Sequence, residues 1–392
     1  MIAHAFVRDL VVLLVAAFIG GSLARRFRYP AALGELAVGM AIGPFALGFV
    51  EYSDTLVTFA EVGAIVLLFY IGLEADMAML RKYLVPSFMA GVLGALLPLV
   101  LGYYGSIYLG FRPDEALFMG TVLTATSIGI TARMLSELDH LKTKEGMTIL
   151  GAGVVDDVVA IVLLSFTVSV LAGDFSSINL ASVLAKAAGF WAIIIMLGMY
   201  VITRFLDKMR IETESLTLVV LALGFAGSFG SYQLGLSTAI GAFAVGLALS
   251  NIIRAPEVLK NVQPIFLFFV PIFFVSIGML IDPKAFVISL VPGLMITALA
   301  ILGKVVGCGG ALLLSKFSAR EALTVGVGMI PRGEVGLIIA GIGLASGFID
   351  PQAYLVSVMA VSLTTIIALP ILKVLIGHSR RIRLFSDTIA HT

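Results

Sequence analysis

The sequence predicts an all-α polytopic membrane protein with about 13 transmembrane helices. Of its 392 residues, 60% are hydrophobic and only 12% are charged, whereas soluble domains carry about 25% charged residues. The mean hydropathy is +1.11, and apolar runs of about 20 residues, each long enough to cross a bilayer, recur along the chain. The 41 glycines fit the same class, because small residues let transmembrane helices approach closely.

Thirteen apolar segments can be marked along the chain. They lie near 8–24, 31–49, 54–73, 85–109, 115–133, 147–172, 182–203, 215–230, 237–251, 262–281, 286–315, 320–346 and 353–376. Basic residues test this count, since cytoplasmic loops are rich in lysine and arginine. The connections after odd-numbered segments, together with the C-terminal tail, hold 18 of the 25 lysines and arginines. This asymmetry predicts an integral protein of the cell membrane with its N-terminus outside and its C-terminus in the cytoplasm.

Short motifs recur seven segments later along the chain. The pairs are VGMA at 38–41 with VGLA at 245–248, IGLEAD at 71–76 with IGMLID at 277–282, and GITAR at 129–133 with GMIPR at 328–332. Because seven is odd, the second copy would cross the membrane in the opposite direction. The pattern predicts inverted-topology repeats, segments 1–6 and 8–13, joined by segment seven, an architecture common among secondary transporters.

Two adjacent carboxylates, Asp156 and Asp157, lie inside the apolar run GAGVVDDVVAIVLLSF. If segment six begins near Met147, Asp156 lies about 14 Å along the helix, close to the middle of the bilayer. A charge there costs about 2.5–3.5 kcal/mol even on insertion scales. Two such charges together would be hard to keep without a function or a partner. The alternative is a structural pair buried against cations elsewhere in the bundle.

A lysine in segment eleven, Lys304 in AILGKVVGCGG, is the candidate counter-ion for one of these aspartates. A purely structural ion pair is the rival interpretation, because removing either partner would leave a buried unpaired charge. The two roles are compatible if the pair breaks during transport.

Two segments are predicted to be interrupted in mid-membrane. The run GVGMIPRGEVGL places Arg332 and Glu334 beside Pro331, and its repeat partner TVLTATSIGITAR has a cluster of hydroxyls. Interrupted segments at matching positions of two halves point to a transporter's binding site. Oxygens of Thr126 and Ser127 would suit a hard monovalent cation, although they would also serve hydrogen bonds within helices. Arg332 and Glu334 are expected to neutralise each other and the half-helix ends rather than bind substrate.

Several other functions lack a sequence signal. There is no GxxxxGK[ST] loop, which argues against ATP coupling, and nothing points to nucleic acid or to a cofactor. The single cysteine, Cys308, gives no disulfide framework and no zinc spacing. The histidines are all expected in loops or tails, with His140 solvated, so no intramembrane histidine relay is expected; they are His4, His140, His378 and His391.

Four motifs in order, GVVDDVVAIV, TATSIGITAR, LGKVVG and LTVGVGMIPRGEVGLI, resemble the monovalent cation:proton antiporter-2 family, close to NapA-type sodium/proton antiporters. The resemblance covers essentially the whole chain. It implies an NhaA-like antiporter fold with two discontinuous crossing helices, and a homodimer in membrane lipid. It also implies interleaved domains: dimerisation parts at 1–80 and 213–284, core transport parts at 81–175 and 285–378, a linker helix at 176–212 and a cytoplasmic tail at 379–392.

The same resemblance implies a secondary active transporter and not an enzyme, exchanging Na+ for protons by an elevator-like alternating-access mechanism. Asp157 matches the main ion-binding carboxylate, Asp156 matches the aspartate that pairs with Lys304, and Thr126 and Ser127 match the first crossing region. No cofactor is implied beyond the transported ions.

Alternatives stay open at this stage. Li+ or K+ could replace Na+, and the chain could be a potassium/proton antiporter or the transport domain of a potassium efflux system. The similar glutathione-gated potassium efflux systems replace the first aspartate and append a nucleotide-binding domain, so the two aspartates here favour the sodium branch. A gated cation channel is less expected because no TVGYG-like filter is present, and a sodium-coupled solute symporter would need more polar mid-membrane positions.

Overall fold

The computed structural model describes residues 2–172, 177–208 and 212–390, and the regular elements in these ranges are all helices. Parts of the predicted segments, residues 173–175 of the core, 176 and 209–211 of the linker and 391–392 of the tail with His391, lie outside the described residues. The helices are α1 (Ile2–Arg26), α2 (Ala31–Ile42), α3 (Asp54–Glu74), α4 (Met77–Lys82), α5 (Leu84–Tyr108), α6 (Pro113–Val122), α7 (Ile128–Glu137), α8 (Lys144–Leu171), α9 (Ser177–Met196), a π-helical segment (Leu197–Ile202), α10 (Thr203–Lys208), α11 (Thr213–Gln233), α12 (Thr238–Leu249), α13 (Ala255–Met279), α14 (Pro283–Ile288), α15 (Leu290–Leu314), α16 (Ala319–Gly328), α17 (Glu334–Ala345) and α18 (Pro351–Ala390).

Many of these helices have the length and the apolar composition of a membrane-spanning helix. In the described part of the chain, nine are long and apolar enough to cross one, and three shorter apolar helices, α2, α12 and α17, accompany them. The prediction of an all-α membrane protein is confirmed at this level. Local signals set the helix boundaries: Asp76 caps α4 by accepting from the backbone N–H groups of residues 78 and 79 at 2.8 and 3.1 Å, and proline opens α6, α14 and α18.

The helices recur in the same order in the two halves of the chain. Helices α5 and α15 are both 25 residues long and begin 206 positions apart, at Leu84 and Leu290. The spacing is the same between the starts of α4 and α14 and between those of α7 and α17. The order α1–α8 therefore returns as α11–α18; that the second copy is inverted in the membrane stays a prediction.

The chain folds into two compact units, each assembled from separate stretches of sequence. Unit 1 comprises Met1–Arg25, Ala31–Tyr83 and Asp157–Val287. Its helices cross where glycine allows the backbones to touch: a Cβ atom on Gly39 of α2 would lie 2.1 Å from the carbonyl oxygen of Val275 in α13, and one on Gly246 of α12 would lie 2.4 Å from that of Phe69 in α3. These two crossings are equivalent in the repeat, and only glycine fits either one.

Unit 2 comprises Arg26–Pro30, Leu84–Asp156 and Ile288–Thr392. Its long helices α5 and α15 also touch through glycine, since a Cβ atom on Gly307 would lie 2.5 Å from the carbonyl oxygen of Leu93. The division between the units falls inside α8, between Asp156 and Asp157, whereas the sequence-based boundary of the core transport part lies at 175. The roles of the predicted domains stay predictions.

Candidate functional site

Two helix breaks lie at matching places in the two halves of unit 2. Helix α6 ends at Val122 and α7 begins at Ile128; α16 ends at Gly328 and α17 begins at Glu334. The five-residue connections, 123–127 and 329–333, are again 206 positions apart. Pro331 explains the second break, because a proline lacks the N–H that a continuing helix requires. Each break leaves free carbonyl groups at one helix end and free N–H groups at the next.

The two breaks contact each other directly. The backbone N–H of Ser127 donates to the carbonyl oxygen of Pro331 at 2.9 Å, and Oγ1 of Thr126 donates to the carbonyl of Met329 at 3.2 Å. A third bond from the same half runs from Oγ1 of Thr131 to the carbonyl of Gly328 at 2.7 Å. Thr126, Ser127 and Thr131 are all buried. The first break thus supplies donors to the C-terminal end of α16.

Arg332 is buried at this crossing, with 1% of its surface exposed. Its guanidinium donates to the carbonyl oxygen of Leu123 from Nη2 at 2.7 Å and from Nε at 3.1 Å, and to that of Ile330 from Nη1 at 3.1 Å. Its own backbone is held by Thr365 of α18, which accepts from the Arg332 N–H at 3.1 Å and donates to the Arg332 carbonyl. A positive charge therefore lies where α6 and α16 present the negative ends of their dipoles.

Glu334 lies at the opposite kind of helix end. It is the first residue of α17, and its Oε2 accepts a hydrogen bond from Oγ of Ser127, the N-cap residue of α7, at 3.3 Å. A carboxylate here faces the positive ends of two helix dipoles. The described hydrogen bonds of Arg332 and Glu334 thus serve helix ends of opposite sign, and none joins the two side chains to each other.

The predicted counter-ion is in contact with the first aspartate. Nζ of Lys304 in α15 lies 2.5 Å from Oδ1 of Asp156 in α8, and both side chains are 0% exposed. The second carboxylate oxygen of Asp156, Oδ2, is also buried and has no hydrogen-bond partner among the described residues. A buried carboxylate oxygen without a donor marks a place where a proton or a cation would lower the energy of the site.

Asp157 follows on α8, about 100° further around the helix axis. It is partly exposed, in contrast to its fully buried neighbour. The two adjacent carboxylates therefore differ in exposure, with Asp157 the less buried of the two.

Sequence reasoning missed several contributors to this region. Thr131 and Thr365 have no pattern that separates them from ordinary helix hydroxyls, because their partners are 197 and 33 residues away. The expectation of a solvated His140 is wrong: it is 7% exposed, and its Nε2 lies 3.7 Å from Oε2 of Glu145. The short connection between α7 and α8 folds back on itself, with Thr143 donating to the carbonyl of His140 at 2.8 Å, and this buries the imidazole.

Comparison with known proteins gives consistent matches over the whole chain. The family described as sodium/hydrogen exchanger, transmembrane, matches residues 13–376. The Na(+)/H(+)-K(+) antiporter GerN of Bacillus cereus is 38% identical over 376 residues, which cover 95% of this chain and 96% of that protein. The Na(+)/H(+) antiporter of Enterococcus hirae is 38% identical over 374 residues, covering 94% and 97%. The structure of the sodium proton antiporter MjNhaP1 from Methanocaldococcus jannaschii has the same fold, with a TM-score of 0.72, 18% identity and coverage of 94% and 95%.

Proposed function

The chain belongs to the sodium/hydrogen exchanger family, and we propose that it is a secondary active transporter that exchanges Na+ for protons across the cell membrane. The observation that carries the proposal is the pair of adjacent aspartates within the membrane-crossing helix α8, one of them bonded to a fully buried lysine. Intramembrane ionisable residues of this kind mark ion or proton pathways.

Thirteen membrane crossings follow if the breaks are counted as interrupted helices. Nine crossings are the long apolar helices, two are the shorter α2 and α12, and the last two are α6 with α7 and α16 with α17. With the excess of basic residues on one side, this topology puts the N-terminus outside and the C-terminus in the cytoplasm. Irregular backbone at membrane depth is tolerated at the two breaks because each is buried in protein and hydrogen-bonded to the other.

Exchange follows from competition for the aspartates. A bare carboxylate inside the membrane is costly, and either a proton or a Na+ ion removes that cost. Asp157, the more accessible of the two, is the proposed main ligand, with Asp156 as its partner and with Thr126 and Ser127 as further oxygen donors. The proton and the cation occupy the site in turn, so one must leave before the other binds. Because the bare charged site cannot cross the membrane, every crossing carries a bound proton or cation, and the net result is exchange.

Lys304 makes the two aspartates different. While Asp156 is paired with Lys304, the fully buried pair is neutral as a unit; when Asp156 binds a proton or a cation, the lysine loses its partner. Arg332 and Glu334 are proposed to match the charges of helix ends and not to bind the transported ion.

The movement that carries the ion is proposed to be elevator-like, with 81–175 and 285–378 as the moving core, 1–80 and 213–284 as the dimerisation domain of a homodimer in lipid, and 176–212 as the linker. K+ is the second candidate cation, because the name of the relative GerN includes potassium as well as sodium.

The test is an ion-flux assay on the purified chain in liposomes that hold an acidic interior and a fluorescent pH indicator. Addition of Na+ outside is expected to dissipate the pH gradient, with Li+ and K+ tested in parallel and protein-free liposomes as the control. Dissipation by K+ alone would make the chain a potassium/proton antiporter. Cation flux that persists without a pH change would identify a channel and would overturn the proposal.

A further inference from the structure

Helix α8 is tied to the second half of unit 2 at two points. The inner tie is the bond between Asp156 and Lys304. The outer tie is at the first residue of α8, Lys144, whose Nζ lies 2.8 Å from Oε2 of Glu321 in α16. The proposed function makes no use of this second pair.

The outer tie is built from three groups of the turn between α15 and α16. Nζ of Lys144 lies 3.8 Å from the centre of the Phe317 ring, within the range of a cation–π contact. Oε2 of Glu321, which accepts from Lys144, also accepts from the backbone N–H of Ser318 at 2.8 Å, and Oγ of Ser318 accepts from the Glu321 N–H. This capping box positions the Glu321 carboxylate independently of Lys144.

The two ties lie far apart along α8. From Lys144 to Asp156 is 12 residues of α8, and from Lys304 to the end of α15 at Leu314 is 10 residues, with Phe317 three residues further on. At 1.5 Å per residue, the helical distances are about 18 and 15 Å. The two ties therefore hold α8 against the second half of unit 2 at separate points along its axis.

The equivalent position in the first half shows that the cap does not require such a tie. Helix α6 has one half of this capping box: the backbone N–H of Arg112 donates to Glu115 at 3.0 Å, but the Arg112 side chain does not cap the helix. Glu115 is 206 positions before Glu321, but its ion pair, at 3.2 Å, is with Arg112 of its own turn. Glu115 therefore stabilises one helix end, whereas Glu321 joins two segments.

We propose that Lys144 is a positioning residue: together with Glu321 and Phe317 it sets the register of α8 against α15, so that Asp156 meets Lys304. The transport readout of this inference rests on the proposed function. Loss of the outer tie lets α8 shift, which changes the contact of Asp156 with Lys304 and, through it, the balance between proton and cation at the aspartates.

The first test is transport by Lys144→Gln in liposomes, with Arg112→Gln as the matched control. Both variants remove the cation that is paired with the carboxylate in the first turn of a helix, but only the first removes a tie. Lys144 and Glu321 are 24% and 25% exposed, and a pair of this kind is worth up to about 1 kcal/mol, so the expected rise in apparent KM for the cation is at most about fivefold. The maximal rate is expected to change by no more than about twofold, which corresponds to a change of about 0.4 kcal/mol in the barrier.

Two further variants and a pH profile separate positioning from a general loss of stability. Glu321→Gln, which keeps an oxygen for the Ser318 cap, is expected to match Lys144→Gln, and the double variant is expected to be no worse than either single one. Lys144→Arg is expected to restore the wild-type KM. The pH–activity profile is expected to shift in Lys144→Gln and not in Arg112→Gln. Equal shifts in both would overturn the proposal.

Amide hydrogen exchange gives a readout that does not depend on transport. Faster exchange over residues 151–157 is expected in Lys144→Gln than in wild type or Arg112→Gln, because α8 loses one of its two ion pairs with the second half of unit 2. Faster exchange in a chain that moves no ions would refute the proposed function and support the register. Unchanged exchange and unchanged KM in a chain that transports would refute the register and leave the function standing.

Discussion

The two helix breaks have the same place in the repeat but very different side chains. Residues 123–127, LTATS, carry hydroxyls and no charge, while residues 329–333, MIPRG, carry Arg332 and are followed at once by Glu334. The first break donates hydroxyl and backbone hydrogen bonds; the second provides the carbonyls that accept them and the two charges that neutralise helix ends. Each break thus supplies hydrogen-bond partners to the other.

The same contrast extends to the helices beside the breaks. In α8 the aspartates stand in the sequence VVDDVV, whereas residues 362–365 of α18, the corresponding stretch, read SLTT. Lys304 of α15 corresponds to Pro98 of α5. Repetition thus supplies the shape of the site twice, while each charge is present once: Asp156 and Asp157 belong to the first half, and Lys304, Arg332 and Glu334 belong to the second.

The largest expected effect comes from removing the charge that only the first half carries. Asp157→Asn is expected to reduce Na+-driven proton movement in liposomes to the protein-free background, because an amide cannot alternate between proton and cation. The conservative change Thr364→Ser on α18 is the matched control and is expected to keep exchange. Exchange retained by Asp157→Asn would remove this residue from the mechanism.

Lys304→Ala tests whether the aspartate of the first half needs the positive charge of the second half for stability. It leaves Asp156 buried without a partner, which is expected to cost about 3–5 kcal/mol of unfolding free energy. The double change Asp156→Asn with Lys304→Met removes both charges and is expected to recover most of the loss. Thermal unfolding in detergent measures both variants; equal stability of Lys304→Ala and wild type would contradict the buried ion pair.

Arg332→Gln tests the charged break. The carbonyls of Leu123 and Ile330 lose their guanidinium donors, and each unsatisfied buried group costs about 1–3 kcal/mol. Arg332→Lys keeps the charge but not the planar fork, so an intermediate loss is expected in the same unfolding assay. If glutamine and lysine were equally harmless, the neutralisation of the helix ends would not depend on this side chain.

Ser127→Ala tests the neutral break and is expected to have the smallest effect. It removes one hydrogen bond to Glu334, worth about 1 kcal/mol, while the backbone bond from residue 127 to Pro331 remains. A loss as large as that of Arg332→Gln would mean that the two breaks contribute equally, contrary to the contrast drawn from their contacts.

The sequence alone is sufficient to identify charged groups that lie within apolar runs. Asp156, Asp157, Lys304 and Arg332 can all be singled out because a charge in a membrane segment is costly wherever the segment packs. Family resemblance then supplies the pairing of Asp156 with Lys304, which the structure contains. The all-helical fold follows from composition in the same way.

The remaining contacts could not be predicted, because they depend on which segments meet. Thr131 and Lys144 look ordinary in sequence, and their partners lie 197 and 177 residues away. The expectation for His140 is wrong for the same reason: a short polar connection suggests solvent, and only the fold shows that it closes over the imidazole. Hydroxyls and surface charges have many acceptable environments, so the sequence does not choose among them.

The helix crossings of unit 1 leave no space for a side chain at two glycines that are distant in sequence. A single methyl group at residue 39 or 246 would have to push a neighbouring main chain away by about 1 Å, because the separations would be only 2.1 and 2.4 Å. No side chain can swing aside to make room, since the obstacle in both places is a carbonyl oxygen. The repeat therefore places the same steric constraint at two positions, one in each half of the chain.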